Sequence, residues 1–115
     1  MEVGNNQSLA VYIAYRFSNK TKAVSDFERL KDRMYDPASS QKWQKPDNLS
    51  FFSTTADEQY ITCGRYFDFN RCEAVIRYQE YIIFFTSDIT DEMTFARYEE
   101  ILFYLDEQIS TRLYP

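Results

Sequence analysis

Tyr81 to Phe85 reads Tyr-Ile-Ile-Phe-Phe, apolar at every position. In a strand, successive side chains point to opposite faces. The run therefore presents bulk both ways and needs cover on two sides, as an interior strand does. The neighbouring segments alternate with period two, as strands do.

Those neighbours extend the pattern. Cys72 to Tyr78 sets Cys72, Ala74, Ile76 and Tyr78 against Glu73, Val75 and Arg77, and Gln79-Glu80 is a tight connection into the Tyr81 run. Upstream, Gln59 to Phe69 is rich in Tyr, Ile, Thr and Phe. Gly64 in its middle suggests a bulge, and Asn70-Arg71 suggests a turn. Leu49 to Thr54 is short and aromatic, which predicts another strand. Near the start, Leu9, Val11, Ile13, Tyr15 and Phe17 share one face of a strand, with Ala10, Tyr12, Ala14 and Arg16 on the other.

Two segments carry a helical period. Ala23, Phe27, Leu30 and Met34 form one stripe, preceded by capping side chains within Ser18 to Thr21 and stopped at Asp36-Pro37. Phe95, Tyr98, Ile101, Leu102, Leu105, Ile109 and Leu113 form a second stripe in a helix expected from about Asp91 to Leu113. Asp91 and Glu92 would then sit in its first turn, favourable to the helix dipole. Between the first helix and the next strand, Asp36 to Asn48 has no periodicity. This long loop holds the only Trp, Trp43, between Lys42 and Lys45.

The expected order is β-α-β-β-β-β-α in one domain over residues 1–115. The fold class is α+β: a five-stranded, mainly antiparallel sheet with two helices packed on one face. That arrangement leaves the other face short of cover. Each large apolar side chain left wet forgoes about 1.5–3 kcal/mol. A contiguous apolar patch of this kind marks an interface, and homodimerisation is its commonest solution. Trp43, Phe51, Phe52, Ile82, Phe84 and Tyr104 are the interaction candidates on this reading.

Composition narrows the chemistry. The 115 residues include no His, so nucleophile–His pairs and His metal sites are excluded. Two Gly cannot build a dinucleotide or P-loop phosphate cradle. Asp88, Asp91 and Glu92 are acidic, but helix capping accounts for all three without a metal. No catalytic residue, metal or cofactor is expected. The net charge of −5 repels phosphate backbones, so nucleic acid is not an expected partner. Arg65, Arg71 and Arg77 read as cross-strand ion pairs on a solvated face, neutralised by Asp68, Glu73 and Glu80. No apolar run approaches the ~20 residues of a membrane helix, so no membrane is expected either. The N-terminus lacks the basic start of a signal peptide. The expected location is cytoplasmic, where Cys63 and Cys72 would be free, buried thiols.

Two functional expectations follow. The first is a non-enzymatic protein-interaction module (an adaptor, inhibitor or immunity-type factor) acting as a homodimer or with a larger partner. The alternative is a small-ligand sensor with an aromatic-lined pocket between the sheet and the last helix, where Tyr hydroxyls fix an apolar or planar ligand.

Overall fold

The computed structural model describes residues 10–33, 43–66 and 69–114. Six elements follow in order: β1 (Ala10–Arg16), α1 (Lys20–Arg33), β2 (Glu58–Tyr66), β3 (Phe69–Tyr78), β4 (Tyr81–Ile89) and α2 (Phe95–Leu113). The fold is α+β with an antiparallel sheet, but the sheet has four strands, ordered β1-β4-β3-β2. The expected strand at Leu49 to Thr54 does not form. Leu49 and Phe51 bury their side chains from an irregular segment. Its backbone is held instead by side chains: Ser53 N–H donates to Gln59 Oε1 (2.8 Å), and Gln59 Nε2 donates to Ser53 C=O (2.9 Å).

β4 is the interior strand its sequence demands, paired with β1 on one side and β3 on the other. The β3–β4 hairpin closes at Tyr78↔Tyr81. Its connection places Gln79 at φ 58°, with the Gln79 N–H on Asp57 Oδ2. The β2–β3 ladder runs in register from Glu58↔Arg77 to Tyr66↔Phe69. Two expectations fail here. Gly64 pairs in step with Arg71, with no bulge, and Asn70 and Arg71 lie inside β3 rather than in a turn. Met34, most of the Asp36–Asn48 loop, Phe67 and Asp68 lie outside the described residues.

The helices do not share a face. α2 packs on the side of Cys72, Ala74, Ile76, Tyr78, Ile83 and Phe85 through Tyr98 and Leu102. α1 packs on the opposite side, where Ala23 and Phe27 meet Val75 and Ile82, with Phe17, Leu30, Tyr60 and Phe84 around them. Strand order explains the difference. β1 and β2 occupy opposite edges, so the segment between them must cross the whole sheet on one face. α1 makes that crossing over β4 and β3, and α2 takes the other side. The chain's own helices thus cover both faces of β4, where an uncovered face was expected.

Helix ends follow local hydrogen bonding. Asn19 Oδ1 accepts from Lys22 N–H (2.8 Å) and caps α1. Thr94 caps α2 by accepting from Arg97 N–H (3.1 Å). α2 begins later than expected because Thr90 takes the preceding residues into a turn. Its Oγ1 accepts from Glu92 and Met93 N–H (3.2 and 3.1 Å). Asp91 and Glu92 therefore precede the helix.

Cys63 and Cys72 are disulfide-bonded, overturning the expectation of free thiols. They lie directly opposite each other on β2 and β3, with Cα atoms 4.1 Å apart. Cys63 turns its own N–H and C=O outward to Gln44. The pair is therefore a non-hydrogen-bonded one, the closer of the two antiparallel spacings.

Candidate functional site

Strand edges decide which surfaces remain open. At β2, Gln44 forms an antiparallel bridge to Cys63 through N–H···O bonds of 3.1 and 3.0 Å. Continuing that register would set Pro46 opposite Ile61, but proline has no N–H to offer. The chain turns away there, with Leu49 N–H closing back on Pro46 C=O. It returns at Ser53, tied to Gln59. Between these two ties lies a groove of about 570 Å³, with Trp43, Lys45, Phe51, Phe52, Tyr60 and Ile61 in its walls. Lys45 Nζ is held on Phe51 C=O at 2.8 Å.

The β1 edge is different. Phe17 N–H donates to Glu80 C=O (2.9 Å), continuing the Arg16↔Tyr81 register. Odd-numbered residues therefore exchange hydrogen bonds with β4. By the antiparallel alternation, Ala10, Tyr12, Ala14 and Arg16 aim their backbone groups outward. No described strand pairs with that side. Six of the seven β1 residues are exposed, including Tyr12, Ile13 and Tyr15. These apolar side chains lie on both faces of the strand.

A second groove, of about 530 Å³, runs between β1 and α2. Its floor is Tyr12, Ala14 and Tyr81. Two rows of α2 side chains at i, i+4 spacing form its walls. Leu105, Ile109 and Leu113 make the inner wall, and Tyr104, Gln108 and Arg112 the outer one. Arg16 stands over the Tyr81 ring, 5.7 Å from its centroid, and its guanidinium lies 3.8 Å from Glu80.

Beneath α2 sits a polar network. Asp106 Oδ1 accepts from Tyr78 OH (2.5 Å) and from Ser53 Oγ (2.6 Å). Tyr98 OH donates to Phe85 C=O (2.8 Å), and the two rings stack with centroids 4.8 Å apart. Burial pushes both phenols well above the ordinary tyrosine range, and Asp106 adds to the shift at Tyr78. Both are fully covered, so they are anchors of α2 rather than reactive groups.

The structure separates the six interaction candidates. Trp43, Phe51 and Phe52 meet at the β2 groove. Trp43 is buried against Gly64, Phe51 is in the core against Phe103, and Phe52 is 65% exposed. Ile82 is fully covered and Phe84 half-buried in the α1 cluster. Tyr104 lines the β1–α2 groove. The sequence reading missed Tyr12, Tyr81 and Arg112, since only strand order brings β1 beside the end of α2.

Of Arg65, Arg71 and Arg77, two form cross-strand pairs. Arg71 Nε bonds Asp88 (3.0 Å). Arg77, only 5% exposed, bonds Glu58 (2.6 Å) and Gln79 C=O (2.9 Å). No described helix is long and apolar enough to cross a membrane. Comparison with family models, curated proteins and solved structures found no match to this chain.

Proposed function

We propose that this protein is a non-enzymatic interaction module that docks through the β1 edge, with a second copy of itself as the partner. The uncovered face that first suggested a dimer is covered by α1, so the reading now rests on the edge. One observation carries it: among the described residues β1 is an open edge, with exposed apolar side chains on both faces. Soluble proteins blunt such edges with Lys, Pro, bulges or covering elements. Among the described residues, Ala10 to Tyr15 has none of these, and the only charge in the strand is Arg16.

Two β1 strands paired antiparallel about a two-fold axis would satisfy each other's outward N–H and C=O groups. The surface is then self-complementary, as a closed dimer requires. The result is a continuous eight-stranded sheet. The disulfide further supports action in an oxidising compartment, where such bonds persist.

Sedimentation equilibrium tests the proposal. The wild-type chain is expected at twice its 13.8 kDa mass. Ile13→Lys, which puts a charge beside the pairing edge without removing a buried side chain, is expected at the monomer mass with an unchanged circular dichroism spectrum. A wild-type chain that stays monomeric at high concentration refutes the proposal, as does an Ile13→Lys dimer.

A further inference from the structure

We infer that the groove between β1 and α2 binds an amphiphilic carboxylate: an apolar chain or flat ring system with one anionic end. The inference stands on the shape and charge of the groove, independently of what pairs with β1.

Length and depth come first. Tyr104 and Arg112 are eight residues apart on one helix face, which at 1.5 Å per residue is about 12 Å. Ala14 lies on the floor between the larger Tyr12 and Tyr81, and its methyl group leaves the depth that a larger side chain would fill. The inner wall is entirely aliphatic, and three phenol rings complete an apolar trough with polar tips. Such a lining, with few polar groups at fixed places, is that of a small-molecule site.

Charge selects the class. The chain carries a net charge of −5, yet the charged side chain that lines this groove is a cation, Arg112. Arg112 makes no ion pair among the described residues, and its fork suits a carboxylate bidentately. Arg16 stands over the ring of Tyr81, which lines the same groove, and pairs with Glu80. Gln108, one turn before Arg112, offers an amide donor to the same head group. The rest of the trough has no charge to meet a second ionic group. A monoanion with its carboxylate at Arg112 and its tail running toward Tyr104 satisfies all of these at once.

Isothermal titration with sodium decanoate tests this, with decanol and decyltrimethylammonium as controls. The tests use wild type and the Ile13→Lys variant, so that the groove is read with and without self-association. Decanoate is expected to bind saturably to both, at about 1 mM or tighter. Decanol should bind about ten-fold more weakly, and the cation should not bind. Arg112→Gln should weaken decanoate about ten-fold while leaving decanol unchanged. Ala14→Leu, which fills the floor at an exposed position, should abolish both. Equal affinity for decanoate and decanol overturns the inference, as does decanoate binding that survives Ala14→Leu. Absence of saturable decanoate binding to either protein also overturns it.

Discussion

Gly64→Ala is the sharpest probe of how this sheet is closed. The Trp43 ring packs against Gly64. A Cβ added there would fall far inside ordinary van der Waals contact with Cγ, Cδ1 and Nε1 of the indole. The ring would have to retreat by about 1 Å to restore normal separation. Trp43 is 5% exposed. A Trp side chain buries about 150–250 Å², so its complete expulsion would cost about 4–6 kcal/mol as an upper limit. Partial retreat is the cheaper response, and overpacking of this kind costs about 1–3 kcal/mol. Against this stands a gain of about 0.4–1 kcal/mol from a less flexible unfolded chain. The net expectation is a loss of about 1–2 kcal/mol, or a melting temperature lower by about 4–16 °C. Urea denaturation gives the energy, and emission from the only Trp reports the ring, shifting to the red as it meets water. In a Trp43→Leu background the smaller side chain can step aside, so Gly64→Ala should become neutral or stabilising, a coupling of about 1–2 kcal/mol. A Gly64→Ala protein as stable as wild type, with unshifted emission, would refute the packing argument.

Two other perturbations have worked expectations. The folded-state pKa values of Tyr78 and Tyr98 lie above the ordinary 10.0, so the native state holds these protons more tightly than the unfolded one. Their stability is fully present below pH 10 and declines above it by up to about 1.4 kcal/mol per pH unit for each phenol. Phenolate absorbance should show these two ionising only as the chain unfolds; reversible ionisation of every tyrosine with native circular dichroism would contradict this. Reducing Cys63–Cys72 releases a loop of sequence separation 9, for which chain entropy gives about 2.5 kcal/mol. Urea midpoints with and without reductant measure it, and identical midpoints would count against a stabilising crosslink.

Local pattern carried much of the fold. Period two in Leu9 to Phe17 and Cys72 to Tyr78, and bulk on both sides of Tyr81 to Phe85, give β1, β3 and the interior β4 directly. The stripes through Phe27 and through Tyr98 and Leu102 give both helices. Where the reading failed, the deciding partner was distant in sequence. Leu49 to Thr54 has strand-like residues, yet Gln59 and Asp106 bind Ser53, and Pro46 forbids continuation of the Gln44 ladder. Gly64 looks like a bulge until Trp43 is placed on it. Cys63 and Cys72 look like core filler until the β2–β3 register sets them face to face.

The amino-acid order by itself determined most of the segments that extend or coil and which side of each must be dry, because those properties repeat over a few residues. Tertiary structure alone decided what supplies the dryness: α1 on one face, α2 on the other, β1 on an outer edge, and Arg112 and Tyr81 in the lining of one trough. An alternating pattern records that a face is apolar but not what covers it. The cover depends on strand order, and strand order is settled by contacts between residues far apart in the chain.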